Sequence, residues 1–188
     1  HLQRRRQRQM CIRDREIGEA LNNFKSKGKK VISYGDFYFQ NQYLLASYSD
    51  EIILNPFGLV YLEGYKNYRF YLKEALNKID VNINTFIAGD YKSAAEIFTN
   101  SSMSEDSKKE SERFLTSLWE KWKFVVSNNR NTKLSINIQN YIDDIGNLIS
   151  NSNKKGSNLA TDFGLVDSIM NRSDTVSYTH LTLPTTLQ

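Results

Sequence analysis

"KVISYGDFYFQNQYLLASYSDEIILN", residues 30–55, is the stretch that decides the fold. It opens on a short apolar run, "KVISY" (30–34), that reads as a buried strand. Residues 40–50, "QNQYLLASYSD", are helix-like, and "EIILN" (51–55) reads as a second buried strand. Pro56 and Gly58 mark the turn that follows, and "VYLEG" (60–64) is a further short strand candidate. Working outward, Ile17, Ala20, Leu21 and Phe24 fall at i, i+3, i+4 and i+7, a helix face that Gly28 ends. Downstream, "YRFYLKEALNKI" (68–79) is patterned as an amphipathic helix and "NINTFIA" (82–88) as a strand. A long helix is predicted over 104–129, with Ser104 as N-cap and Glu105 and Asp106 in its first turn. Leu115, Leu118, Trp119, Trp122, Val125 and Val126 give it an apolar stripe, so the tryptophans read as core. "SNNRNTK" (127–133) is its exit, and "SNSNKKGSN" (150–158) the best loop candidate. Strands separated by helices imply an α/β fold with a largely parallel sheet.

The two ends have a different character. "QMCIRDR" (9–15) can be back-translated as CAG ATG TGT ATA AGA GAC AG, and the reverse complement of that element encodes "VSYTHL" (176–181). One DNA element in opposite orientation at both ends resembles the adapter of a sequencing library, as in a metagenomic fragment. The expected organisation is therefore non-native tails at 1–15 and 175–188 around a single, incomplete domain at 16–174. Both tails are expected to be unpacked. The stated charge is +4, from 25 basic and 21 acidic residues. Six of those bases and one acid lie in residues 4–15, leaving 19 against 20. The basic balance is thus confined to one tail and gives no reason to expect a nucleic-acid partner. His1, His180 and Cys11 also lie in the tails, so residues 16–174 contain no His and no Cys. That excludes thiol nucleophiles, imidazole bases, disulfides and Cys/His metal sites there, and nothing is spaced for a carboxylate metal site. No cofactor is expected. No run approaches the ~18 apolar residues of a membrane span.

"FIAGDYKSAAEIF" (86–98) carries the candidate chemistry. In open α/β sheets functional groups gather beyond the carboxyl ends of strands, and Lys92 stands where a predicted strand gives way to a helix. A lysine is a general base only when neutral. From a reference pKa near 10.4 that requires a downshift of roughly three units, about 4 kcal/mol, which apolar burial can supply. Ser–Lys pairs are a known route to an activated serine. Ser93 is a poor partner, because adjacent side chains diverge, and is read as a local polar or capping residue.

From about Ile17 to Asp167 the chain resembles the signal peptide peptidase A (protease IV) family, and more closely the N-terminal half of its long, two-repeat form. The likeness rests on residues 28–64, on "YKSA-E-F" (91–98) followed by Met103-Ser104 and a long helix, on "LWEKW" (118–122) and "SNNR" (127–130), and on "GLVDSI" (164–169). It implies a crotonase/Clp-protease-like fold of repeated ββα units. It also implies that Lys92 is the general base of a Ser–Lys dyad. In short, single-domain members a Ser-Gly-Gly segment opens the helix before the "DEI"-like strand. Here Gln40 falls at the serine, and Asn41 and Gln42 at the glycines. The resemblance therefore implies that a C-terminal repeat supplies the nucleophile and that this fragment is inactive alone. It implies a homo-oligomer cleaving signal peptides, held by an anchor outside this fragment on the extracytoplasmic (periplasmic) side of a bacterial inner membrane. Two other readings use the same fold: a non-catalytic assembly repeat with a structural Lys92, and a crotonase-like acyl-CoA enzyme, against which "YKSA-E-F" speaks. The apolar "FYFQNQYLL" (37–45) could line a peptide groove, but burial in the core is the favoured role.

Overall fold

A computed structural model describes residues 2–84, 95–152 and 155–182. In chain order these form α1 (Leu2–Ser26), β1 (Ile32–Gly35), β2 (Tyr38–Phe39), α2 (Gln40–Ala46), β3 (Glu51–Leu54), β4 (Val60–Tyr61), α3 (Lys73–Lys78) and α4 (Glu96–Thr99). They continue with α5 (Glu105–Asn129), α6 (Ile138–Ser152), α7 (Gly156–Asp162), β5 (Ser168–Ile169) and α8 (Arg172–Thr182). The chain divides into two compact units, one of residues 1–63 with 122–188 and one of residues 64–121.

In the first unit the alternation read from residues 30–55 is present. The strands β1, β3 and β5 make one parallel sheet with β3 in the middle. A second, two-stranded parallel sheet pairs β2 with β4. Two successive short strands thus part into different sheets before the helix returns the chain, the ββα pattern of an α/β fold. The central strand explains why "EIIL" carries no polar alternation. Ile52, Ile53 and Leu54 are fully buried, as expected of a parallel strand covered on both faces. Burying each such side chain contributes about 1.5–3 kcal/mol. Around them pack Tyr43, Val60, Leu62, Val126, Tyr141 and Leu165, all at most 1% exposed. Two buried tyrosines anchor the packing through their hydroxyls. Tyr43 donates to the Leu165 carbonyl at 2.7 Å and Tyr141 to the Val60 carbonyl at 2.8 Å.

Several local expectations are corrected. The helix expected over 40–50 ends at Ala46, because Ser47 and Ser49 turn the chain there. Ser47 Oγ bonds the Leu44 carbonyl and Ser49 N–H the Ala46 carbonyl. In α1 the docked face is not the one that carries Ile17 and Phe24, which are 46% and 43% exposed. Gly18 is buried instead, seated against the Tyr48 ring, where a side chain would collide with the ring. Two turns later Lys25 Nζ reaches the Tyr48 carbonyl at 2.8 Å and the Asp50 carboxylate at 3.3 Å. Contact with backbone and charge, not apolar periodicity, selects that face. The stretch 150–158, read as loop, instead carries the end of α6 and the start of α7.

The ends also differ from expectation. Residues 2–15 lie within α1, and residues 175–182 within α8. Thr175 is buried, and Tyr178 donates to Glu51 Oε2 at 3.0 Å, an oxygen it shares with Lys30 at 2.7 Å. The expectation of an unpacked C-terminal tail is therefore corrected for residues 175–178. The carboxylate of Glu51 gives that helix a polar partner that patterning could not reveal.

In the second unit the helix expected over 68–79 begins only at Lys73. The N–H of Leu72 is committed to the Ile97 carbonyl at 2.7 Å, so the backbone before it is engaged outside a helix. Residues 81–84 form no strand. The rest of the strand expected over 82–88 falls outside the described residues. The long helix is as expected: α5 starts one residue after Ser104, and its stripe is half-buried to buried throughout. Trp122 is core at 3% exposure, whereas Trp119 is half-buried, with its ring edge-on to Tyr65.

Between α7 and β5 the chain turns at Gly164 with φ +71°, and a methyl there would overlap the Lys133 carbonyl. Gly164→Ala should combine left-handed strain with that overlap and lower stability by about 2–4 kcal/mol. Urea unfolding of the 188-residue chain measures this. An unchanged midpoint would contradict the geometry.

Candidate active site

Position 40 is fully described. β2 delivers the chain into α2, and Gln40 is the first helical residue, with Phe39 ahead of it in extended conformation. The Phe39 N–H bonds back to Gln42 Oε1 at 3.1 Å, which closes the turn and sets where the helix begins. Gln40 is 9% exposed, its carbonyl accepts the Trp122 indole N–H at 3.3 Å, and its Oε1 is buried with no hydrogen-bond partner among the described residues. A carboxamide is neither a nucleophile nor a base at neutral pH. Position 40 therefore supplies no covalent chemistry, and Asn41 and Gln42 keep side chains where glycines would open the backbone. The groove reading of "FYFQNQYLL" divides residue by residue. Tyr38, Gln40, Tyr43 and Leu44 are buried, while Phe37 and Phe39 are exposed.

Beside this junction the carboxyl ends of β1 and β3 are tied together. Asn55 N–H donates to the Gly35 carbonyl at 3.0 Å. Its side chain donates to Asp36 Oδ1 at 2.9 Å, which also accepts from Tyr34 Oη at 2.9 Å.

Lys92 and Ser93 lie outside the described residues. Description resumes at Ala95, and the end of the "YKSA-E-F" stretch, Ala95 to Phe98, accounts for the Ser104 that comes after it. Glu96, in α4, accepts hydrogen bonds on Oε1 from Ser104 Oγ at 2.6 Å and Ser107 Oγ at 2.9 Å. Its Oε2 is buried with no partner among the described residues. Ser104 caps α5, receiving the Ser107 N–H at 3.4 Å. Burial pushes the Glu96 carboxyl up, but the hydrogen bonds from Ser104 and Ser107 and the Arg69 charge outweigh it and hold it below its ordinary value.

A third constellation was not singled out from the sequence. Arg130, at the end of α5, is 1% exposed and grips Asp167 through two nitrogens, at 2.8 and 3.1 Å. It also donates to the Gly164 carbonyl at 2.7 Å. Lys133 adds a contact to Asp167 at 2.7 Å, and the Ile52 N–H another at 2.8 Å. Burial pushes the Asp167 carboxyl up, yet these donors prevail and lower it. Arg130 and Asp167 sit in "SNNR" and "GLVDSI", two of the stretches that carry the resemblance. Their separation of 37 residues hid the pairing. The cluster is a structural clamp joining α5 to the central strand. Among the described residues no group of three or more His, Cys, Asp or Glu could hold a metal ion.

Parallel strands parted into two sheets, with helices between them, make an α/β domain, as expected of a crotonase/Clp-protease-like chain, and its Gln40 brings no nucleophile at the helix start beside them. Residues 23–181 match the family described as Peptidase family S49, and the chain belongs to that family. It is 39% identical over 161 residues to Protease 4 of Haemophilus influenzae, a match spanning 84% of this chain and 26% of that protein. It is 35% identical over 163 residues to Protease 4 of Salmonella typhi, spanning 85% of this chain and 26% of that protein. The chain thus spans about a quarter of the length of these curated relatives. No helix among the described residues is long and apolar enough to cross a membrane.

Proposed function

We propose that this chain is the lysine-bearing N-terminal repeat of a membrane-associated serine endopeptidase that degrades cleaved signal peptides. Position 40 carries the reading. Within a stretch that belongs to a peptidase family, the helix start where single-domain members are expected to hold serine holds a buried glutamine, while "YKSA-E-F" is intact. A peptidase built this way needs its serine from elsewhere, and the relatives are long enough to contain a second repeat.

In the proposed reaction the neutral Nζ of Lys92 takes the proton from the serine Oγ as that oxygen attacks the scissile carbonyl. When the C–N bond breaks, the ammonium returns the proton to the leaving amine. Lys92 then takes a proton from the water that attacks the acyl carbonyl and returns it to the serine Oγ as the acyl C–O bond breaks. Closure by the second repeat would exclude water and keep Lys92 neutral. The substrate peptide, a homo-oligomeric assembly, an anchor outside this chain and a periplasmic-side location complete the reading; no cofactor enters it.

Exposure to a serine-directed phosphonylating probe tests it. The 188-residue chain is expected to remain unlabelled while the full-length protein is labelled at one serine in its C-terminal part. Stoichiometric labelling of the 188-residue chain would reject the composite site.

A further inference from the structure

We propose that the free edge of β1, together with the apolar stripe of α1, is the seat of a further parallel β-strand, supplied by a part of the full-length protein outside these 188 residues. Two surfaces of the first unit lack the cover that their residues call for. The first is the edge. Among the described residues β1 pairs with β3 alone. The carbonyl of Val31 accepts the Asp50 N–H at 2.9 Å and that of Gly35 the Asn55 N–H at 3.0 Å, both from the β3 side. Backbone direction alternates along a strand, so the N–H and C=O groups of Ile32 and Tyr34 face the other way. β1 is half-buried along its whole length, whereas Ile52, Ile53 and Leu54 beside it are fully buried. Outward backbone groups in a row are a template for another strand. The opposite edge, β5, is only two residues long and makes a poor one.

The second surface is the face of α1 that carries Ile17, Ala20, Leu21 and Phe24. Its spacing is that of a helix lying on a core, yet Ile17 and Phe24 are 46% and 43% exposed. Topology says what that face should lie on. α1 packs beside α2, with Gly18 against the Tyr48 ring just past it, so the two helices share one face of the sheet. A crossover between parallel strands is almost always right-handed. Crossovers of one hand on one face all step in one direction. α2 steps from β1 to β3, so α1, which leads into β1, steps from the far side of β1. A strand there would bond Ile32 and Tyr34 and put its side chains beneath Ile17 and Phe24. The occupant is therefore a short run rich in Val, Ile or Leu, parallel to β1. A second copy joined across a two-fold axis normal to the sheet would run antiparallel to β1, against this direction. The matched stretch is 26% of the length of the curated relatives, which leaves ample chain to supply the strand. Neither Lys92 nor Gln40 enters this inference, so it stands apart from the composite-site reading.

Residue-resolved hydrogen exchange on the isolated 188-residue chain and on the full-length protein tests it. In the isolated chain the Ile32 and Tyr34 amides are expected to exchange at least about 100-fold faster than those of Ser33 and Gly35, which face β3. In the full-length protein all four are expected within about tenfold of one another. Fast exchange at Ile32 and Tyr34 in the full-length protein would overturn the proposal. So would their protection in the isolated chain: if it is lost on dilution a second copy holds the edge, and if it persists the chain covers itself. Should the isolated chain fail to fold, the full-length protein carries the test. There Phe24→Glu is expected to speed exchange at Ile32 and Tyr34 about tenfold, while Ile52, Ile53 and Leu54 keep their protection. No acceleration in that variant also overturns the proposal. Peptidase activity takes no part in these readouts, so a failure here leaves the composite site untouched.

Discussion

Lys92→Ala in the full-length protein is expected to lower kcat by about 10³- to 10⁴-fold while KM changes little. A residue used only in the transition state leaves substrate affinity alone, and that split separates a base from a residue that shapes the peptide groove. The magnitude is that of a lost general base, about 4–5.5 kcal/mol of barrier. Lys92→Arg keeps the cation and should be as inactive, because a guanidinium does not deprotonate in the accessible range. Labelling by a serine-directed probe should fall in parallel, since in the proposed dyad the same amine activates the serine toward the probe. Steady-state kinetics on a peptide substrate measure the first effect and the rate of probe incorporation the second. Retained turnover in Lys92→Ala would dismiss the catalytic role and leave the repeat as an assembly element.

Asp167→Ala should cost the fold about 3–5 kcal/mol, because it strands a guanidinium that is 1% exposed. Arg130 would keep its bond to the Gly164 carbonyl, while Lys133, already 40% exposed, would turn to water at little cost. The Ile52 N–H on the central strand would also lose its partner. The pH dependence has a definite sign. The Asp167 carboxyl is lowered in the folded state, from an unfolded reference near 3.9. Its contribution is therefore fully present above that reference and is lost as pH falls through the lower, folded value. Urea unfolding of parent and Asp167→Ala at pH 7 and at about pH 2.5 measures both statements. The stability gap between them should be wide at pH 7 and narrow at the acid end. A variant within about 1 kcal/mol of the parent at pH 7 would mean that the clamp is not energetically required.

How far the sequence was legible follows from the range of the interactions involved. The strands in residues 30–55 were readable because unbroken apolar runs between turn signals admit few alternatives. The Ser104 cap was readable because a helix start is decided within four residues. The docking face of α1 was not, since it depends on Tyr48 and Asp50, far along the chain. The late start of α3 was not, because a single bond from Leu72 to Ile97 competes with helical pairing. The Arg130–Asp167 clamp left no local trace, as neither residue type is ordinarily buried. At the candidate site the absence of a nucleophile at Gln40 was legible from residue type alone. The tie between Glu96 and α5 required the fold. The role of Lys92 continues to rest on its motif.

The order of strands in the main sheet governs when this domain can exist. β3 lies between β1, which is complete at Gly35, and β5, whose Ser168 and Ile169 pair with Ile53 and Leu54. On the ribosome, the middle strand waits for more than a hundred further residues to be made before its second neighbour emerges. Until then it carries an open hydrogen-bonding edge flanked by some of the most apolar side chains of the chain. A nascent chain of this kind completes its folding late, with a contact order that favours slow closure. Holding factors would have most to protect during that interval.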